Sequence, residues 1–171
     1  MKIEEPLQGK RIAIRNYAPE DLDFCTGMWF DPENGRYLSD PDREHVDERY
    51  QRALEGMPDS PDGYYFIVEL RESGERVGTC CAFPQDGAYD IGYCIRREYW
   101  KRGYGTELVE LLTDWVRRQG GTAVTGEAAK ENRASCALLE KCGFTAVRES
   151  SFNKYRMNVR FDSMIYQKTL R

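Results

Sequence analysis

Between Tyr99 and Glu107 the chain reads Tyr-Trp-Lys-Arg-Gly-Tyr-Gly-Thr-Glu, a run that ties a strand to a helix through two glycines one residue apart. Upstream, Tyr89, Ile91, Tyr93 and Ile95 alternate with Ala88, Asp90, Gly92 and Cys94, the period of a strand. Downstream, Leu108, Leu111, Leu112, Trp115 and Val116 recur at the spacing of a helical apolar stripe. The first turn of a helix carries backbone N–H groups without partners and the positive end of a dipole. Gly103 and Gly105 let an anion come close to them, so the junction predicts a phosphorylated ligand.

Spacing narrows the choice. A Walker loop needs Gly-x-x-x-x-Gly-Lys-Ser/Thr, which the chain lacks, and a dinucleotide fingerprint needs a third glycine where Leu108 stands. On the glycines alone, an ordinary tight strand-to-helix connection stays open.

The junction resembles motif A of the GCN5-related N-acetyltransferases (GNAT), Gln/Arg-x-x-Gly-x-Gly/Ala, with Trp100 at the Gln/Arg position. Tyr-Trp-x-x-Gly-Tyr-Gly-Thr-Glu is similar to the branch of ribosomal-protein N-terminal (RimJ/RimL-like) and spermidine acetyltransferases. Asn132-Arg-Ala-Ser135 followed by Leu139-Glu-Lys-Cys-Gly-Phe144 resembles the same branch, as do Ile14-Arg15 and Pro19-Glu-Asp21 near the start. The resemblance spans nearly the whole chain in the right order. It implies an α/β GNAT fold, a mixed, splayed sheet of six to seven strands flanked by about four helices, with acetyl-CoA as cosubstrate.

Length agrees with one domain over residues 1–171, with 40% hydrophobic and 12% aromatic residues for a core. No apolar run is long enough to cross a membrane, and the start, Met-Lys-Ile-Glu-Glu-Pro, lacks the apolar centre of a signal peptide. A cytoplasmic protein is expected. Six cysteines show no Cys-x-x-Cys spacing and His45 is the lone histidine, so no metal site is expected. A net charge of −4 argues against a nucleic-acid surface. Between Asp31 and Asp62, ten acids face four arginines, a local −6; this is either a solvated face or an attraction for a cationic acceptor.

The order of elements reads strand, two helices, three strands, helix, strand, helix, two strands. Arg11 to Arg15 opens as a strand, and Pro19 to Trp29 and about Arg43 to Glu55 are helical. Tyr64 to Leu70, Arg76 to Phe83 and Tyr89 to Arg96 form a meander turning near Ser73-Gly74 and Asp86-Gly87. The Leu108 helix stops at Gly120-Gly121; Val124 lies in a strand; Asn132 caps a helix to Lys141, stopped by Gly143. Val159, Phe161 and Ile165 share one face of the last strand. Gly92 in mid-strand signals either a bulge or a closely approaching ligand.

The resemblance puts the pyrophosphate on the amides of Lys101, Arg102, Gly103, Tyr104, Gly105 and Thr106, the pantetheine arm along Cys94 and Ile95, and Asn132 and Ser135 beside it. Amide formation needs a neutral amine, yet a primary amine of pKa about 10 is protonated at neutral pH, so a base is required. Asp90 is the matching carboxylate, with Glu127 the second candidate; each is equally readable as a surface acid. Where many members place a proton-donating tyrosine, this chain has Leu139. Ser135 lies on the inward stripe with Leu138, Leu139 and Cys142 and either meets the thioester sulfur or caps its helix. His45 reads as surface and Trp29-Phe30 as core.

The function expected is direct acetyl transfer from acetyl-CoA to a primary amine: a protein N-terminus, a polyamine or a small molecule. A non-catalytic acyl-CoA-binding module is the alternative. The acceptor, and whether the chain forms a homodimer, are not legible in the sequence.

Overall fold

The computed structural model describes residues 1–170. One eight-stranded sheet runs through it in the order β1-β2-β3-β4-β5-β6-β8-β7. The strands are β1 (Leu7–Gln8), β2 (Ile12–Asn16), β3 (Tyr64–Leu70), β4 (Arg76–Gln85), β5 (Ala88–Ile95), β6 (Ala123–Ala129), β7 (Thr145–Asn153) and β8 (Arg160–Thr169). The helices are α1 (Leu22–Trp29), α2 (Glu48–Gly56), α3 (Tyr104–Arg118) and α4 (Arg133–Lys141). This is the expected α/β architecture with one more strand than the sequence announced. β1 is two residues long and pairs Leu7 with Ile14, too short to leave a periodic trace.

Each face of the sheet buries its own cluster. Phe66, Val68, Ile91, Ile95 and Val124 point toward α3 and α4, where Leu108, Leu112, Trp115 and Leu139 meet them. Trp115 takes Tyr64, Phe66 and Tyr89 edge-on at 4.9, 5.8 and 5.6 Å between centroids. On the other face Ile67 packs with Tyr17, Cys25, Phe30, Leu54 and Met57 beneath α1 and α2.

Two helices differ from their sequence outlines. The Pro19 segment starts as a 3-10 turn, Pro19–Asp21, before α1. The Arg43 segment is a 3-10 turn, Arg43–His45, then an extended Val46, and α2 begins afresh with Asp47 as its cap. Each start has its own aspartate, Asp42 accepting from Glu44 and His45 N–H and Asp47 from Tyr50 N–H, which divides the run in two. The Asp86-Gly87 turn forms as expected, both residues having positive φ (50° and 82°).

β5 and β6 form the parallel pair and stay together only over Ala88–Asp90 against Ala123–Thr125. Beyond Asp90 they carry no ladder. The sheet is therefore forked, its apex at Asp90 and Thr125 and its mouth at the loop leading into α3.

Candidate functional site

At the mouth of the fork the chain leaves β5 through a 3-10 turn, Arg97–Tyr99, and enters α3. Lys101 and Gly103 both have positive φ (60° and 83°). Among the described residues, no backbone N–H from Lys101 to Thr106 has an acceptor within the protein. These donors and the start of a 15-residue helix dipole make an anion cradle. Arg11, on the neighbouring strand edge, braces it. The Arg11 guanidinium donates to the Arg102 carbonyl at 2.8 Å, pairs with Glu107 at 2.9 Å and lies 4.5 Å over the Tyr104 ring. Burial would raise the Glu107 carboxyl, but the Arg11 and Ile12 N–H groups and the guanidinium more than offset it and hold it below the usual range. Nothing in the sequence singled out Arg11, which is 96 residues from Glu107.

The two loop glycines do different work. A side chain on Gly103 would be strained by its φ and would reach Arg11 at 3.2 Å. A Cβ on Gly105 would stand 2.6 Å from Leu138 Cδ1, so the bare face of Gly105 serves the approach of α3 to α4. Gly92 is also a packing requirement. Its register with Cys81 is regular, without the bulge that was one expectation, and a Cβ there would meet Cys81 Sγ at 2.9 Å. At the strand end, the Ile95 carbonyl accepts from the Trp100 indole at 2.7 Å and from Asn34 Nδ2 at 3.2 Å, while Asn34 Nδ2 also reaches Cys94 Sγ at 3.2 Å.

α4 presents its first turn to the same fork. Asn132 caps it, accepting from Ser135 N–H at 3.2 Å, and the Ser135 hydroxyl meets the Tyr93 phenol at 2.8 Å. Tyr93 comes from β5, and burial pushes its phenol up to about 12 despite the bond to Ser135. In the sequence Tyr93 reads only as one member of an alternating strand. At the apex, Thr125 donates to Asp90 at 2.8 Å, and Glu127 follows two residues along β6, accepting from the Ser163 hydroxyl. The Asp90 carboxylate opens to solvent on one side, yet the sheet strips enough water from it to raise its pKa; the bond from Thr125 opposes the rise and the charge on Glu127 adds to it. The two candidate carboxylates thus flank the fork from opposite strands.

The cysteines are all free. Burial pushes Cys94, Cys81 and Cys25 up to about 12, so none is a thiolate at neutral pH. His45 is exposed and pairs with Asp42 at 2.6 Å, the surface role expected. Phe30 is in the core as expected, but Trp29 also lines a cavity on the α1/α2 face. No group of three or more metal-ligating side chains occurs among the described residues. No helix among them is long and apolar enough to cross a membrane.

The site is thus a forked mixed sheet with an amide-lined cradle at its mouth and carboxylates at its apex. Residues 11–145 match the family described as acetyltransferase (GNAT) domain, and the chain belongs to that family and is an N-acetyltransferase. It is 26% identical over 151 residues to an uncharacterized N-acetyltransferase, p20, of Bacillus licheniformis, covering 82% of each chain. A GNAT-family acetyltransferase from Bacillus anthracis superposes with TM-score 0.80 at 17% identity, covering 96% of this chain and 98% of that one. A spermidine N-acetyltransferase from Vibrio cholerae, solved with CoA and spermine, superposes with TM-score 0.76 at 16% identity over 93% and 95%. These structural likenesses establish the fold.

Proposed function

We propose that the chain transfers the acetyl group of acetyl-CoA to a primary amine by direct attack within a ternary complex. The observation that carries this is the row of partnerless amides from Lys101 to Thr106 at the mouth of a fork that closes on Asp90. In this reading the amides, with Arg11 and Arg102 beside them, hold the pyrophosphate. From Ile95 back to Asp90 the strand spans roughly 16 Å at about 3.3 Å per residue, the length scale of an extended pantetheine arm.

The thioester then lies between two sets of groups. Asp90, directly or through water, takes the proton that the attacking amine must lose. The nitrogen–carbon bond forms as the carbon–sulfur bond breaks. Ser135, oriented by Tyr93 and by the Asn132 cap, meets the departing sulfur. Burial holds the Cys94 and Cys81 thiols protonated, so neither is an activated nucleophile for an acetyl-cysteine intermediate.

Thiol release from acetyl-CoA in the presence of an amine panel of N-terminal peptides, spermidine and small amines tests the proposal. Amine-dependent release is expected. CoA binding without release for any amine would instead identify an acyl-CoA-binding module.

A further inference from the structure

On the face of the sheet opposite α3 lies a half-open cavity of about 380 Å³ between α1, α2 and strands β3 to β5. Gly92 and Cys94 of β5 line one side of it, so it reaches the strand along which the fork opens. Trp29, Tyr50 and Tyr65 supply aromatic walls, and the Trp29 indole N–H is already satisfied by Thr79 at 3.0 Å.

Several acids of the Asp31–Asp62 segment are paired within the protein. Glu33 is paired with Arg97, Asp42 with His45 and Asp47 with Arg156. Asp40 is different: its carboxylate lines the cavity, and Tyr50 hydroxyl donates to one of its oxygens. Lys154 is nearby but does not neutralise that carboxylate through a hydrogen bond. Its ammonium donates to the backbone carbonyls of Gly35, Leu38 and Asp40 at 2.8, 2.9 and 3.0 Å, which accounts for its three protons. A half-buried carboxylate facing apolar and aromatic walls is a place for an organic cation.

The cation held there is not the amine that reacts. A carboxylate paired with an ammonium keeps it protonated, whereas attack on a thioester requires the free amine. We propose that the cavity selects a compact acceptor carrying two separated groups: the primary amine to be acetylated, directed toward the fork, and a second cationic group held by Asp40, with an apolar spacer against the aromatic walls. A single carboxylate without a hydrogen-bonded cationic partner, in so small a space, suits a short diamine better than a long polycation. The inference rests on the acetyl transfer proposed above.

The test compares diaminopentane with hexylamine, in which a methyl replaces the second amine, by steady-state kinetics and by calorimetry on the CoA-saturated protein. The wild type is expected to favour diaminopentane at least about tenfold in kcat/KM, the range of a charge-assisted hydrogen bond. Asp40→Asn should erase that preference, the diaminopentane KM rising far more than kcat falls, with CoA affinity unchanged. Burial raises the Asp40 carboxyl, so the amide variant is expected to fold at least as well as the wild type. No preference in the wild type, or a preference that survives Asp40→Asn, overturns the proposal. So does an equal loss of kcat for both amines, which would make Asp40 the proton acceptor. Tight diaminopentane binding without thiol release would leave the cation site standing and overturn its role in choosing the acceptor; absence of diaminopentane binding overturns the site itself.

Discussion

The Tyr93 phenol of β5 and the Ser135 hydroxyl of α4 lie 2.8 Å apart, joining the strand beside the fork to the helix that faces it. Tyr93 stays protonated across the neutral range and so can donate to Ser135, which in the proposed transfer would free the serine proton for the departing sulfur. Tyr93→Phe removes one hydrogen bond and keeps the ring, so kcat should fall by about 3- to 10-fold. CoA affinity should hold. Ser135→Ala should lose at least as much, and the double variant little more, because the two act as a unit. A Tyr93→Phe enzyme of wild-type kcat would remove the phenol from the mechanism.

If Asp90 is the base, as proposed, it sets the acid side of the pH profile. Its pKa is raised by burial, and the base must be ionised to work, so activity should fall as pH drops through a value above the ordinary aspartate range of about 4. Asp90→Asn should lower turnover by about 10²-fold and leave activity that climbs with pH as free amine accumulates. If Glu127→Gln abolishes turnover while Asp90→Asn is active, Glu127 is the base.

Gly105 and Leu138 form a testable pair. Gly105→Ala should force α4 away from α3 and weaken CoA binding about tenfold, since the cradle amides belong to α3. Adding Leu138→Ala should recover most of the affinity. Gly103→Ala should not be rescued in this way, because its cost lies chiefly in a φ of 83°. Calorimetric CoA titrations of the variants decide the matter; a double variant as weak as Gly105→Ala would mean that the alanine meets the phosphate instead.

Asp21 is fully buried and joins α1 to the sheet. It accepts from Arg15 at 2.7 and 2.9 Å, from Arg76 at 3.1 Å and from Ala18 N–H at 3.0 Å. Burial alone would raise its carboxyl, but these bonds hold it below the usual range. A depressed folded-state pKa means stabilisation that is complete above the unfolded value of about 3.9 and lost as pH falls through the folded one. Asp21→Asn should cost about 2 to 3 kcal/mol at neutral pH, less than a fully buried pair because both arginines reach solvent. Denaturation at pH 7 and pH 3 should show that difference shrinking in acid.

Features carried by neighbouring residues were legible in the sequence. Asp86-Gly87 names its own turn, the Leu108 stripe names α3, and Asn132 names the cap of α4. α3 itself begins earlier, at Tyr104, because its first turn faces the loop and carries no apolar stripe. What escaped is long-range. Tyr93 and Ser135 are 42 residues apart, and Asp40 looked like one loop acid among many until its neighbours proved to be paired elsewhere. Gly105 reads as room for a ligand and Gly92 as either that or a bulge, whereas their close neighbours are Leu138 and Cys81, which no local pattern reveals.

If the Asp40 cavity chooses the acceptor, as proposed, the Lys154 clasp makes that choice a trait written in two distant places. The segment from Gly35 to Asp40 takes its shape from an ammonium more than a hundred residues downstream, in the turn between β7 and β8. The next residue, Tyr155, adds its N–H to the Ser39 carbonyl at 2.8 Å and its ring to Tyr50 at 5.0 Å. Natural divergence toward a new acceptor must therefore move both stretches together, and a chimera that exchanges either one alone inherits a mismatched wall rather than its donor's taste.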